Sequence, residues 1–429
     1  MQKKQKSKPW MKLDNAALIY PATMNRSWTA LFRLSATLTE PIDEDILEVA
    51  QKRTLRRLPW FSYRLKKGLF WFYLDHAEHD PKIQPDVGNP CVRMRLRENG
   101  GFCMRVRHYQ NRIAVEFFHV LTDGTGGLVF LQTLVAEYLR LRYGAKIPRS
   151  EKILDCSEPP RSQEAEDSFA TNSGTVTQSR SEPKAYHISG TDERGGFVHI
   201  ITGSMDSDVV LQKAREKGVT ITEYLTAVMI LSVDTIQRRQ VTHVHRFKPV
   251  KISVPINLRN VFPSHTLRNF ANYVNPGIDP RLGTYTFDEV LNLVHHFMAM
   301  EVTKKLLNVK ITTNVRTEQN RVLRLMPLFI KNMAMKYVYS QVGDVLSSTT
   351  LSNLGVTKLP EEMSQYVRRM DFILGPLASN RVCAAALTYN GRLRINFTRT
   401  IAEPLLEREF FTRLVKLGIP VKVESNQME

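Results

Sequence analysis

Cysteine is scarce in this 429-residue chain: Cys91, Cys103, Cys156 and Cys383 stand far apart and form no C-x-x-C. That spacing writes neither a disulfide framework nor a zinc knuckle, and a reducing cytoplasm is the expected compartment. No stretch approaches the roughly 18 uninterrupted apolar residues of a membrane span. The basic N-terminus is not followed by an apolar signal segment of about 7–15 residues before Asp14, so secretion is not expected either. Phosphate cradles are missing as well. Gly124, Gly126 and Gly127 do not complete G-x-G-x-x-G, because Val129 stands in the last place, and no G-x-x-x-x-G-K occurs. G-x-S-x-G is absent too, which leaves an α/β-hydrolase nucleophile without support. No nucleic-acid module or aromatic–basic array accompanies the positive charge, so no nucleic acid is expected as partner.

What is present points to a large folded chain. Apolar residues make up 42% and charged residues 24%, a balance that supports a sizeable core. At about 100–200 residues per domain, the length suggests two or three units, with two as the working number. Lys and Arg outnumber Asp and Glu by 60 to 42, a net charge of +18. Lys3, Lys4, Lys6 and Lys8 at the N-terminus carry only a small part of that excess. The body of the chain therefore favours anionic partners, such as a ligand with phosphates or an acidic membrane surface.

The pattern along the chain mixes strands with helices. Trp28, Ala30, Phe32, Leu34, Ala36 and Leu38 alternate with mostly polar neighbours, the period of a half-buried strand. "PIDEDILEVAQKRTLRRL" opens with acids and closes with bases, as a helix macrodipole favours. Hairpins are expected around Lys67–Gly68, Asn111 and, as a type I′ turn, Asn390–Gly391. Residues 149–196 turn to Ser, Glu, Asp, Thr, Gln and Gly and read as a long exposed crossover, in part disordered, between units 1–148 and 197–429. Beyond it, helices are expected near 206–217, 222–238, 286–307, 317–341 and 402–417. Residues 314–342 are basic and amphipathic. A packed helix with solvated cations is the commoner reading of such a stretch, and peripheral membrane contact stays open beside it. Pro327 is expected to kink or split it.

One short stretch carries chemistry. "EFFHVLTDGTGG" ends an apolar strand on His119, sets Asp123 and Gly124 in a loop, and leads into Leu128, Leu131, Leu134, Val135, Tyr138 and Leu139 at helical spacing. Taken singly, His119 reads as a structural histidine and Asp123 as a turn residue or helix cap. Together they suit acyl transfer. Neutral imidazole can take the proton of an attacking hydroxyl and return one to a leaving thiolate near pH 7. A buried Asp paired with a distant Arg would lock the loop that aims the ring. His243 and His245 could share a strand face, but no third ligand is evident, so no metal is expected. His295 and His296 lie in a helical pattern and read as surface or core.

"HVLTDG" resembles the H-x-x-x-D-G signature of the chloramphenicol acetyltransferase and condensation-domain superfamily. "KLDNAALIYP", "VPINLR" (254–259), "TLRNFANYV" (266–274), "SNLG" (352–355) and "DFILGP" (371–376) are similar in order and spacing, and look most like bacterial alcohol acetyltransferase-like proteins. The resemblance implies an α/β (α+β) fold of two domains, each a mixed, mostly antiparallel sheet with helices, and a tunnel between them. It implies a CoA-dependent O-acyltransferase with acyl-CoA, acetyl-CoA in the simplest case, as donor substrate, and no permanently bound cofactor. The acceptor would be a small alcohol or a related molecule. His119 would be the general base; Asp123, Gly124 and Arg259 would support the site, with Asp123 pointing away from substrate and Arg259 as its partner. Ser352 and Asn353 would be candidate donors to the oxyanion. Phe118 stands where condensation domains usually carry a first histidine, which makes a carrier-protein partner less favoured. Carrier-protein condensation and a binding module without turnover remain as the alternative readings.

Overall fold

The computed structural model describes residues 10–24, 29–178, 182–377 and 379–426. Trp28 and the lysines of residues 1–9 lie outside them. The chain opens with β1 (Trp10–Lys12), α1 (Ile19–Thr23), β2 (Leu31–Leu38), α2 (Glu44–Arg57), the hairpin β3 (Arg64–Lys67) and β4 (Phe72–Asp75), and the short β5 (Gln84–Pro85). The hairpin β6 (Met104–Tyr109) and β7 (Arg112–Phe118) then feeds α3 (Gly124–Tyr143). Among the described residues of the crossover lies α4 (Ser168–Thr171), besides short turns. Order resumes in β8 (His199–Asp206), α5 (Ser207–Glu216), α6 (Ile221–Gln240), β9 (Val250–Asn257), β10 (Ala271–Val274) and β11 (Gly277–Ile278). Four helices follow, α7 (Phe287–Glu301), α8 (Lys304–Gln319), α9 (Arg321–Leu325) and α10 (Leu328–Val342). The chain closes with β12 (Thr349–Thr357), α11 (Glu361–Ser364), β13 (Val367–Leu374), β14 (Val382–Tyr389), β15 (Arg392–Arg399), α12 (Leu405–Lys416) and β16 (Lys422–Ser425).

Local chemistry accounts for many of these limits. Asp43 caps α2 by accepting from Ile46 N, and Arg56 and Arg57 occupy its last turn. The β6–β7 turn places Gln110 at φ 49°, and the two-residue turn between β14 and β15 has Asn390 at φ 49° and Gly391 at φ 68°, the left-handed pair of a type I′ hairpin. The two long helices expected over 286–307 and 317–341 are four. Thr303 and Asn320 cap new starts, and Pro327, which cannot donate into a preceding turn, separates α9 from α10.

Among the described residues two large sheets carry the architecture, one ordered β13-β2-β7-β6-β5 and the other β10-β9-β12-β14-β15-β8-β16. Both mix parallel and antiparallel pairs. Helices α2 and α3 pack together over the first sheet, with Phe32, Leu34, Phe61, Phe117 and Phe130 in one core. A second core joins the other sheet to α6, α7 and α12. β13 comes from the second half of the chain yet pairs with β2 over its whole length, so the first sheet is completed by residues on the far side of the crossover.

Two expectations need correction. β2 is buried on both faces, not one: Arg33 and Ser35, opposite Phe32 and Leu34, are also buried. Arg33 bonds both oxygens of Asp86 and reaches Glu116 at 3.2 Å, so ion pairs stand in for water on that face. The crossover is likewise not simply exposed. Glu164 makes two 2.6 Å bonds to the buried Arg57, and Phe169 is buried with Leu258, Phe262 and Phe270. Composition understates a segment that anchors itself through two or three well-placed side chains.

Candidate active site

His119 follows the last residue of β7, and its N–H donates to Ala30 O at 2.9 Å. The ring is half-buried and packs between two aromatics, Tyr20 of α1 (centroids 5.2 Å apart, planes at 24°) and Phe32 of β2 (4.7 Å). Asn269 fixes both ends of the residue. Its Nδ2 donates to His119 O at 2.7 Å, and its Oδ1 lies 3.5 Å from His119 Nδ1. Burial lowers the imidazole pKa, against the opposing pull of Asn269 and Asp123. The ring is therefore neutral at neutral pH, the form that can accept a proton.

The loop after His119 is bolted to residues 266–270 at two points directly and at a third through Arg259. Asp123 is the N-cap of α3, accepting from Gly126 N at 3.1 Å through Oδ1. Its Oδ2 accepts from Arg259 Nη1 and from Phe270 N, both at 2.8 Å. Both carboxylate oxygens are thus committed to structure. Arg259 also donates to Thr266 O (2.8 Å), Arg268 O (2.6 Å) and Asn257 Oδ1 (3.1 Å), so it staples two loops at once. Thr122 Oγ1 donates to Leu267 O at 2.6 Å. That close approach is why position 126 is glycine: a Cβ there would lie 2.0 Å from Leu267 O. Gly124 meets Leu354 of β12, whose Cδ2 would stand 2.8 Å from an added Cβ.

The oxyanion candidates lie on that same strand. Ser352 is half-buried in β12. The Asn353 amide is in use, with Nδ2 donating to Thr222 Oγ1 at 3.1 Å and Oδ1 accepting from Gly355 N at 2.9 Å. Asn269, Asp14 and Tyr20 carried no role in the sequence reading, though they fall in the quoted stretches "TLRNFANYV" and "KLDNAALIYP". Asp14 is fully buried, takes a 3.1 Å bond from Asn269 Nδ2 and lies 3.4 Å from Arg268. Burial pushes its carboxyl up to about 7, against the pull of Arg268. A buried Asp two residues after Lys12 cannot be told from a turn Asp by spacing, so the sequence held no separate signal for it.

A cavity of about 440 Å³ opens between the two large sheets, lined by Arg33, Ser35, Arg112, Thr202, Asp371 and Asn396 among others. It lies on the face of β2 opposite Phe32, and so opposite the ring that Phe32 touches. His119 is not among the residues that line this cavity. His243 and His245 stack on each other (5.4 Å), while His295 pairs with Glu223 at 3.2 Å. Among the described residues no group of three or more His, Cys, Asp or Glu could hold a metal ion. No single described helix is long and apolar enough to cross a membrane.

No family model and no curated protein sequence matches the chain. Solved structures do match over nearly its whole length. Polyketide synthase associated protein 5 from Mycobacterium tuberculosis is 14% identical, with 95% of this chain and 97% of that one covered and a TM-score of 0.59. TRI101 from F. graminearum, solved with coenzyme A and deoxynivalenol, is 10% identical, with 97% and 100% covered and a TM-score of 0.61. The starter condensation domain of rhizomide synthetase, solved with C8-CoA, is 13% identical, with 96% and 95% covered and a TM-score of 0.60. The chain has the fold of the condensation-domain and trichothecene acetyltransferase structures. At such identities the likeness is one of fold, and activity must be argued from the site.

Proposed function

We propose that the chain is an acyl-CoA-dependent O-acyltransferase that moves an acyl group, acetyl in the simplest case, onto a hydroxyl acceptor in a ternary complex. The observation that carries this reading is a neutral, half-buried imidazole held at a strand end by a loop that Asp123 and Arg259 lock. With a proton on Nδ1 facing Asn269 Oδ1, Nε2 is the nitrogen that accepts the proton. The acceptor oxygen attacks the thioester carbonyl while Nε2 takes its proton. The tetrahedral intermediate then expels the CoA thiolate, and His119 returns the proton to sulfur, so no acyl-enzyme forms. Asp123, Gly124 and Arg259 are positioning residues in this scheme. Of the two oxyanion candidates Ser352 is preferred, because the Asn353 side chain is already bonded. Two units, 1–148 and 197–429, joined by 149–196 and sharing β13, complete the proposal, with a cytoplasmic setting suggested by four free cysteines.

Release of free thiol, followed for a panel of acyl-CoAs against alcohols and amines, tests the activity. His119→Ala is expected to lower turnover by about 10²–10⁴-fold, and an undiminished variant would remove the imidazole from the mechanism. The net charge of +18 is expected to draw the phosphates of CoA, so the donor KM should rise with ionic strength. The solved condensation domains of this fold keep a second reading alive, in which a phosphopantetheinyl protein supplies the thioester. Turnover with such a protein and none with free CoA would favour it.

A further inference from the structure

Helices α9 and α10 turn large apolar side chains to water. Val322 and Leu325 on α9 and Phe329, Met333 and Tyr337 on α10 are 68–74% exposed and recur within each helix at steps of three and four, so each helix carries an exposed apolar stripe on its side of the break at Pro327. The tip of the β3–β4 hairpin adds to them. Leu69 and Phe70 are also exposed, and the tip is tied to α10 by Leu328 N donating to Leu69 O (2.9 Å) and Lys331 Nζ donating to Phe70 O (2.8 Å). Lys331 further sits 3.3 Å over the Trp71 ring. Exposed apolar side chains gathered on neighbouring elements in this way mark a docking face.

Its charge says for what. Residues 319–342 contain Arg321, Arg324, Lys331 and Lys336 and no Asp or Glu, and the hairpin segment 64–71 contains Arg64, Lys66 and Lys67, again without an acid. Arg321, Arg324, Lys336, Lys66 and Lys67 are exposed beside these side chains. Apolar residues interleaved with an excess of cations, with Glu318 at the end of α8 an acid felt by Arg324, match the boundary of an anionic bilayer, where rings and aliphatic chains enter the acyl region and cations meet headgroup phosphates. A second copy fits poorly. Two-fold pairing would set these cations against their own images with no carboxylate from either segment to neutralise them.

We propose that the surface formed by α9, α10 and the β3–β4 tip docks the protein on anionic lipid membranes. The docked face is close to the candidate site, because α10 packs on α1, whose Tyr20 stacks on His119. Binding itself does not require the acyltransferase reading.

Co-sedimentation of the full chain with phosphatidylcholine vesicles, with and without phosphatidylserine, tests it. Binding is expected with phosphatidylserine and is expected to weaken as salt rises. The triple variant Leu325→Ser, Phe329→Ser, Met333→Ser should lose at least about tenfold in partitioning with an unchanged circular dichroism spectrum, since the three side chains are already exposed. Lys66→Gln with Lys67→Gln, away from the helices, should remove part of the salt-sensitive component. The proposal is overturned if the chain does not bind phosphatidylserine vesicles, if the triple variant binds as tightly as the parent, or if sedimentation velocity shows a stable dimer that the triple variant dissociates.

Discussion

Helices α3 and α10 are similarly apolar, yet they meet opposite fates. α3 is buried from Gly126 to Leu139, whereas α10 buries only Leu328 and Lys331. The difference does not lie in the helices themselves. α3 has an N-cap in Asp123, a left-handed C-cap in Gly144 (φ 64°), and Phe61 and Phe117 packed around Phe130 at ring distances of 4.7 and 5.6 Å. α10 begins after Pro327 without a side-chain cap and touches α1 and the hairpin tip on one side only. An apolar helix therefore asks for an apolar surrounding, and the neighbours decide whether protein supplies it. Where they do, the helix start is held firmly enough to position the loop that follows His119; where they do not, the helix offers a surface.

The largest test of that contrast is a matched pair. Phe130→Ala removes a fully buried ring and is expected to cost about 3–5 kcal/mol, while Phe329→Ala is expected to stay within about 0.5 kcal/mol. Chemical denaturation of both variants measures the difference, and equal losses would mean that α10 is covered in the folded protein. Asp123→Ala comes next. It removes the cap of α3 and leaves Arg259 without its carboxylate, an effect of about 3 kcal/mol and not more, because Arg259 keeps Thr266 O, Arg268 O and Asn257 Oδ1. Vesicle binding through α10 should be unchanged by it. If Asp123→Ala abolishes both functions without unfolding the chain, the two regions are coupled in a way their packing does not require.

Much of this arrangement was legible beforehand, for identifiable reasons. Turns forced by Asn390–Gly391, the helix start at Asp123 and the break at Pro327 are written in residues with few conformational choices. The pairing of Asp123 with Arg259, 136 residues apart, was reachable only through resemblance to a family, since no local pattern links them. Three things escaped. Asn269 and Asp14 are ordinary polar residues until the fold buries them beside His119. The burial of Arg33 depends on Asp86 and Glu116 arriving from other strands. And β13 looks like any strand of the second half, while its partner β2 lies more than 300 residues earlier.

The smallest expected effect concerns protons. Burial lowers the His119 pKa, so the acid limb of kcat/KM should fall below the ordinary imidazole value of 6.5. The same shift makes the unfolded chain bind the extra proton first, so stability falls progressively as pH drops from that ordinary value to the lowered one of the folded protein. Asn269→Asp, made in the Asp14→Asn background so that its second oxygen meets an amide and not the buried carboxyl, would set a carboxylate against Nδ1 and favour the imidazolium, raising the acid limb by about one unit. Asp14, whose carboxyl titrates near 7, reaches the ring only through Asn269, and Asp14→Asn should leave the limb nearly in place. A pH–rate profile for the three proteins decides the matter. If the limb moves with Asp14→Asn and not with Asn269→Asp, the titrating group is the buried carboxyl, and His119 is not the base that the rigid start of α3 is built to hold.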